Sequence, residues 1–200
     1  MTRSPEQWEQ RYLAGDLPWD TGRPDRELER LVAARALAPC RALEVGCGTG
    51  TNAIWLAERG FEVFATDLAP TAIARARAKA ERADVRVRFE VGSFPAGEPP
   101  FDLAYDRGCF HVHDEAAERA AFAASVAAAL APAGLWLSLI GSSNGPPREV
   151  GPPRRSARDV AEALEPHFEL LLLEDTTFEA DLPSVPRAWL CLARRRASAG

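Results

Sequence analysis

The chain has no long apolar run, no signal-peptide core and no excess of positive charge, and each absence excludes a class of protein. No stretch approaches the ~20 apolar residues of a membrane-spanning helix, and the opening MTRSPEQWEQ lacks the apolar segment of a secretion signal. We therefore expect a cytoplasmic protein with no membrane partner. The net charge of −5 argues against nucleic acid as a partner, because a phosphate-binding face must be basic.

Paired cysteine motifs are also missing. Cys40, Cys47, Cys109 and Cys191 are far apart and form no CxxC pair, so we expect reduced thiols and neither a zinc site nor a redox motif. His111 and His113 could face the same side of an extended segment, but no third ligand is evident. We therefore expect no metal.

The order of strand and helix patterns predicts the fold class. Ser4, Pro5 and Gly15 bracket a first helix, and a second helix is expected over 25–38. Strand patterns follow at 41–46, 61–66, 85–91, 101–106, 135–141, 168–175 and 188–195, with helices over 50–59, 70–82, 115–130 (capped by Asp114) and 156–165. This alternation predicts one three-layer, Rossmann-like α/β domain with a seven-stranded, mostly parallel sheet. No helix separates the last two strands, so the final strand is expected to run antiparallel.

The segment EVGCGTG (44–50) is the strongest chemical signal. Gly46, Gly48 and Gly50 follow a strand and precede a helix, where backbone can approach a ligand closely. The third glycine comes one residue too early for the dinucleotide fingerprint, and Glu44 is out of place beside a pyrophosphate. Asp67 ends the second strand, where a carboxylate can bind a ribose diol. A ligand with a ribose and no phosphate, such as S-adenosylmethionine, meets these conditions.

At this point the chain resembles a known family. The order EVGCGTG, FATD, VGSF, FDLAYDRGCFH is similar to the class I S-adenosylmethionine-dependent methyltransferases over residues 40–195. The spacing of Trp8, Tyr12 and Trp19, followed by DTGRP, resembles the thiopurine, thiol and halide methyltransferase branch, which includes the tellurite-resistance type. The resemblance implies a sheet with a reversed last strand, and a core at 40–195 under an N-terminal cover, residues 1–38.

The resemblance also implies roles for individual residues. Asp67 would bind the ribose, and Leu68, Ser93 and Phe94 would contact the adenine. The cover aromatics would line the donor site, and the three glycines would shape the methionine pocket with Glu44 nearby; these residues are Trp8, Tyr12, Trp19, Glu44, Gly46, Gly48 and Gly50. Asp106 and Arg107 fall where the donor's methyl end meets the acceptor.

The acceptor is less defined by the sequence. A soft anionic nucleophile needs no base, whereas an alcohol or amine does, and Asp106, His111 and His113 are the candidates. Arg107 is the favoured guide for an anionic acceptor, ahead of Arg23 and the loop arginines Arg148, Arg154 and Arg155. The loop 142–155 that carries these three is a candidate lid.

These observations predict methyl transfer from S-adenosylmethionine to a small molecule, favouring a thiol or another soft atom (selenium, tellurium or halide). The catalytic candidates are Asp106, Arg107 and His111. O- or N-methylation with His111 or His113 as base is one alternative; a nicotinamide oxidoreductase and a non-catalytic binder are others. We expect a monomer or homodimer.

Overall fold

Two short helices precede a seven-stranded sheet in the computed structural model, which describes residues 2–35, 37–147, 151–182 and 184–197. Helix α1, Pro5–Ala14, begins with a capping box between Ser4 and Gln7 and ends at Gly15, which adopts a left-handed φ of 75°. The predicted cap and stop are thus confirmed. Helix α2, Arg26–Ala34, is capped by the side chain of Asp25.

The sheet has the predicted number and direction of strands. Its members are β1 Arg41–Val45, β2 Glu62–Asp67, β3 Val87–Val91, β4 Phe101–Arg107, β5 Leu130–Gly141, β6 Phe168–Thr177 and β7 Arg187–Arg195. The spatial order is β3-β2-β1-β4-β5-β7-β6, and β7 runs antiparallel to both of its neighbours. The α/β fold class and the reversed final strand are confirmed.

Helices cover both faces of the sheet. Helices α2, α3 (Thr51–Glu58) and α4 (Pro70–Arg82) bury their apolar side chains in one core cluster, and α5 (Ala116–Ala129) and α6 (Ala157–Leu164) bury theirs in the other. The second cluster includes a group of contacting aromatic rings, in which fully buried Trp136 packs against Phe110, Phe122 and Phe168. Within the described ranges, no helix is long and apolar enough to cross a membrane.

The structure differs from the sequence-based prediction in two local features. Strand β5 begins at Leu130 instead of residue 135, and the pairing of its first residues with β4 shifts register between Phe101 and Leu103. Helix α5 is capped by Glu115 instead of Asp114, since Glu115 forms a capping box with Glu118 while Asp114 pairs with Arg155.

Candidate active site

A deep cavity lies where the strand order reverses, at the carboxyl ends of β1, β2 and β4. Its volume is about 890 Å³, near the upper end of the ~300–1,000 Å³ typical of small-molecule sites. The walls come from the loop 46–50 after β1 (the glycine loop), the N-terminal cover, the segment after β4 and residues 178–182 after β6. Ligands of doubly wound sheets bind in this position.

The glycine loop forms the floor of the cavity. Gly46, Gly48 and Gly50 all have positive φ angles, between 55° and 78°, a conformation that costs other residues free energy. A Cβ atom on Gly46 would lie 2.1 Å from Sγ of Cys109, and one on Gly50 would lie 2.9 Å from Cβ of Ala76. The loop therefore has no room for side chains at either position. Gly46 and Gly48 line the cavity, whereas Gly50 packs against α4 and does not.

Glu44 is a buried carboxyl group on the wall of the cavity. Its Oε1 accepts a hydrogen bond of 3.3 Å from Nδ2 of Asn52, whereas Oε2 has no hydrogen-bond partner in the part of the chain that the structure describes. Burial raises the pKa of Glu44 to about 8. A buried carboxylate with an unpaired oxygen is costly without a cation, so the site fits a ligand with a cationic amino group.

Asp67 occupies the end of β2, on the other side of the glycine loop. Its two carboxylate oxygens accept hydrogen bonds from the amides of Gly48 and Ala69, both at 2.9 Å. These bonds fix the carboxylate at the cavity wall, and each oxygen retains a lone pair for a hydroxyl. Leu68, Ser93 and Phe94 line the same end of the cavity. The end of β2 therefore fits a ribose with an attached flat base.

The three aromatic residues of the cover come together above the glycine loop. The ring of Trp19 packs edge to face against Trp8 at 5.8 Å and against Tyr12 at 6.4 Å. The cover is fastened to α4, because Thr71 donates hydrogen bonds to Glu9 and Arg75 donates one to the Tyr12 carbonyl. All three residues line the cavity on that side.

Arg107 lines the cavity at the carboxyl end of β4, and its charge is already paired. Its Nε is 2.7 Å from Oδ2 of Asp25, and the two side chains are only 13% and 3% exposed. Its other nitrogens donate to the backbone carbonyls of Trp19 and Glu179. The guanidinium therefore joins β4 to the cover and to the segment after β6.

Asp106 does not reach the cavity. Its Oδ1 accepts hydrogen bonds from the amides of Cys109 and Phe110, and its Oδ2 accepts one from Nε1 of Trp136 at 2.9 Å. The carboxylate is 1% exposed and lies beneath the cavity wall. In this position it shapes the turn after β4.

His111 and His113 both line the cavity, on a 3₁₀ turn (Phe110–Val112) and directly after it. The amide of Gly141 donates to Nδ1 of His111 at 2.8 Å, which assigns the proton of the neutral ring to Nε2 and makes that nitrogen a donor. The ring of His113 packs on Phe122, and burial lowers its pKa. His113 is therefore neutral at physiological pH.

The candidate lid contributes prolines instead of arginines to the cavity. Pro152 and Pro153 line it, whereas Arg154 donates to backbone carbonyls of its own loop and Arg155 pairs with Asp114. Arg148 lies outside the described residues. Arg23 is exposed and lines the cavity at the cover.

The comparison with known families agrees with this geometry. Residues 42–134, which include the glycine loop, Asp67 and the end of β4, match a methyltransferase domain. These residues form a methyltransferase domain of the class I, S-adenosylmethionine-dependent type. This assignment excludes the alternative prediction that the protein is a nicotinamide-dependent oxidoreductase.

Several known proteins are similar to this methyltransferase. A probable thiol methyltransferase 2 of Arabidopsis thaliana is 33% identical over 72% of the chain. A structure reported for the conversion of a disulfide bond into a thioacetal group during echinomycin biosynthesis is 26% identical, with a TM-score of 0.80 over 91% of this chain and 87% of its own. A Burkholderia thailandensis 1,6-didemethyltoxoflavin-N1-methyltransferase with bound S-adenosylhomocysteine has a TM-score of 0.76 at 24% identity, covering 96% and 87%.

The methyltransferase spans 66% and 45% of the lengths of the first two curated relatives that it matches.

Sequence reasoning missed several residues of the site. Lys79, the only lysine in the chain, donates to the hydroxyls of Thr49 and Thr51 at 2.7 and 2.8 Å. Thr49 in turn donates to Asp20 of the cover at 2.9 Å, so Lys79 braces the contact between the glycine loop and the cover. Asn52 was missed as well. The only feature of the sequence that could have singled out either residue is that Lys79 is the one lysine in the chain.

Proposed function

We propose that this methyltransferase transfers a methyl group from S-adenosylmethionine to a small thiol or a similarly soft nucleophile. We call the part of the cavity beside Arg107, Val112 and Phe178 the acceptor end. The observation that carries the proposal is that two of the three candidate bases there are not positioned to accept a proton. Asp106 is engaged beneath the wall, and His111 uses Nδ1 as an acceptor and presents a donor nitrogen. An acceptor that arrives already anionic, as a thiolate does, needs no base.

The walls of the acceptor end support an acceptor with an apolar body. This end is lined by apolar side chains, namely Val112, Pro152, Pro153, Phe178 and Leu182. The charge of Arg107 is neutralised by Asp25. Apolar walls remove water from a soft nucleophile, which raises its reactivity toward carbon. The similarity to the Arabidopsis thiol methyltransferase points the same way.

The chain's own residues position the two reactants. When bound, S-adenosylmethionine supplies a methyl group on a positively charged sulfur. Glu44 pairs with the amino group, Asp67 accepts hydrogen bonds from the ribose hydroxyls, and Leu68 packs against the adenine. Trp19 and its neighbouring rings exclude water from the reacting atoms. Because the transfer needs no other chemistry from the protein, alignment of donor and acceptor provides most of the rate enhancement.

The test is an acceptor screen with labelled donor against thiols, hydrosulfide, iodide, phenols and amines. We expect methylated product and S-adenosylhomocysteine with thiols or hydrosulfide. Donor binding with no product from any acceptor would instead support a non-catalytic binder, and absence of donor binding would refute the proposal altogether.

O- or N-methylation is a second candidate, because neutral His113 lines the cavity and can accept a proton. Replacing His111 and His113 together with glutamine separates the two functions. Loss of a general base lowers turnover by about 10²-fold or more on a phenol or amine, whereas turnover of a thiol at a pH above its own pKa changes much less. A comparable loss on both classes would contradict the division of roles proposed here.

A further inference from the structure

A chain of hydrogen bonds, joined at Asp25 through the covalent bonds between its backbone and its carboxylate, crosses the wall of the cavity. Oε1 of Glu44 accepts from Nδ2 of Asn52, and Oδ1 of the same amide accepts from the backbone N–H of Asp25 at 2.8 Å. The Asn52 side chain thus uses both ends of its amide, one toward the core strand β1 and one toward the cover.

The chain continues from Asp25 to the acceptor end. Oδ1 of Asp25 caps α2 through the amides of Glu27 and Leu28, and Oδ2 accepts from Nε of Arg107. Arg107 then donates to the backbone carbonyl of Glu179. The amide of Asp181 also donates to the Pro18 carbonyl at 2.8 Å. Residues 178–182, which we call the acceptor roof, are therefore held by this chain and by the cover.

The chain has two chemically different ends. Glu44, Asn52, Asp25, Arg107 and Glu179 all line the cavity, so each is adjacent to the space a ligand would fill. At the Glu44 end Oε2 is buried without a partner among the described residues, which marks the place where a cation would attach. An ionised Glu44 accepts a stronger hydrogen bond from Asn52, and linked hydrogen bonds strengthen one another.

Resting on the proposed function, we propose that Asn52 and Asp25 are positioning residues that couple occupation of the donor site to closure of the acceptor roof. A cationic donor bound at Glu44 strengthens the hydrogen bond from Asn52 to Glu44. The Asn52 side chain then fixes the backbone of Asp25, the Asp25 carboxylate fixes Arg107, and Arg107 fixes the roof through its hydrogen bond to the Glu179 carbonyl. Bound donor thereby stabilises the formed acceptor pocket, which favours an ordered sequence of binding.

The test is hydrogen–deuterium exchange with S-adenosylhomocysteine, which needs no knowledge of the acceptor. We expect saturating ligand to slow exchange in wild type both at residues 44–52 and at the roof, with a slowing at the roof of at least about fivefold. Asn52→Ala removes the link, and Asp25→Asn breaks it while keeping a side-chain oxygen that can cap α2. Each variant is measured at a ligand concentration that saturates it, whatever its Kd, so that slowed exchange at 44–52 reports bound ligand; the slowing at the roof should then be lost.

Asn144→Ala is the matched control. Asn144 donates to Asp175 on the surface, away from the cavity, and should leave both protections unchanged. Melting temperatures verify that all variants are folded, and Asp25→Asn remains decisive if Asn52→Ala is unstable.

Two results would overturn the coupling. One is roof protection that persists in both variants at saturating ligand; the other is a wild type that binds ligand and is protected at 44–52 but not at the roof, which leaves the proposed function intact. If wild type binds no S-adenosylhomocysteine at all, the proposed function itself fails, and the coupling fails with it.

Discussion

Replacing Glu44 with glutamine should change how stability depends on pH. Burial raises the pKa of Glu44 from 4.5 to about 8, so the folded state holds a proton that the unfolded state releases. The stability from this group is complete below the unfolded pKa and is lost as the pH rises toward the folded pKa. Within this window, each pH unit lowers the free energy of unfolding by ~1.4 kcal/mol.

From about pH 5 to about pH 7.5, the free energy of unfolding of the wild type should therefore fall by about 3 kcal/mol relative to Glu44→Gln. The assay is urea unfolding at several pH values. Glu169→Gln is the control, because Glu169 is an exposed partner of Arg194 and its own pKa is lowered. Parallel stability curves for wild type and Glu44→Gln would refute the reasoning.

The same carboxyl should connect donor binding to proton release. A cationic amino group beside Glu44 ionises it, so calorimetry in two buffers of different ionisation enthalpy should detect up to one proton released near pH 7. The Glu44→Gln variant should release none from this site and should bind S-adenosylhomocysteine about tenfold or more weakly, since a charge-assisted hydrogen bond is lost.

Three further substitutions test other parts of the site. Gly46→Ala should abolish donor binding, measured by calorimetry, because its Cβ would overlap Sγ of Cys109; adding Cys109→Ala should restore only part of it, since the φ of 66° stays unfavourable. Lys79→Met should weaken donor binding several-fold with a stability loss of about 1 kcal/mol, because Thr49 loses its donor; unchanged binding would contradict its bracing role. Trp19→Ala should raise the donor Kd, whereas Trp19→Phe should retain most affinity.

The parts of the molecule that could be predicted from the sequence are those set by local spacing. The strand–glycine–helix signal around Gly46 and the cap at Ser4 depend on neighbouring residues, and the missing helix before β7 is itself a local observation. The reversal of the last strand followed from it.

Tertiary contacts set the rest. Asp106 lies next to the last residue of its strand, close to the position of Asp67 in β2, yet Trp136 and the amides after β4 enclose its carboxylate. The alternation of side chains along a strand does not reveal such partners. The link from Asn52 through Asp25 to Arg107 joins residues 27 and 82 positions apart. No periodicity in the sequence encodes contacts over that distance.

The division of labour between the core and its flanking segments has a consequence for protein engineering. The proposed donor contacts at Glu44, the glycine loop and Asp67 belong to the central strands and the loop after β1. Much of the proposed acceptor pocket is lined by the cover and the acceptor roof. Libraries confined to residues 178–182 and to the loop before α2, with Trp19 and Asp20 left unchanged, would diversify the acceptor while sparing the donor machinery. Asp25 should be kept fixed in such libraries, because it belongs to both halves.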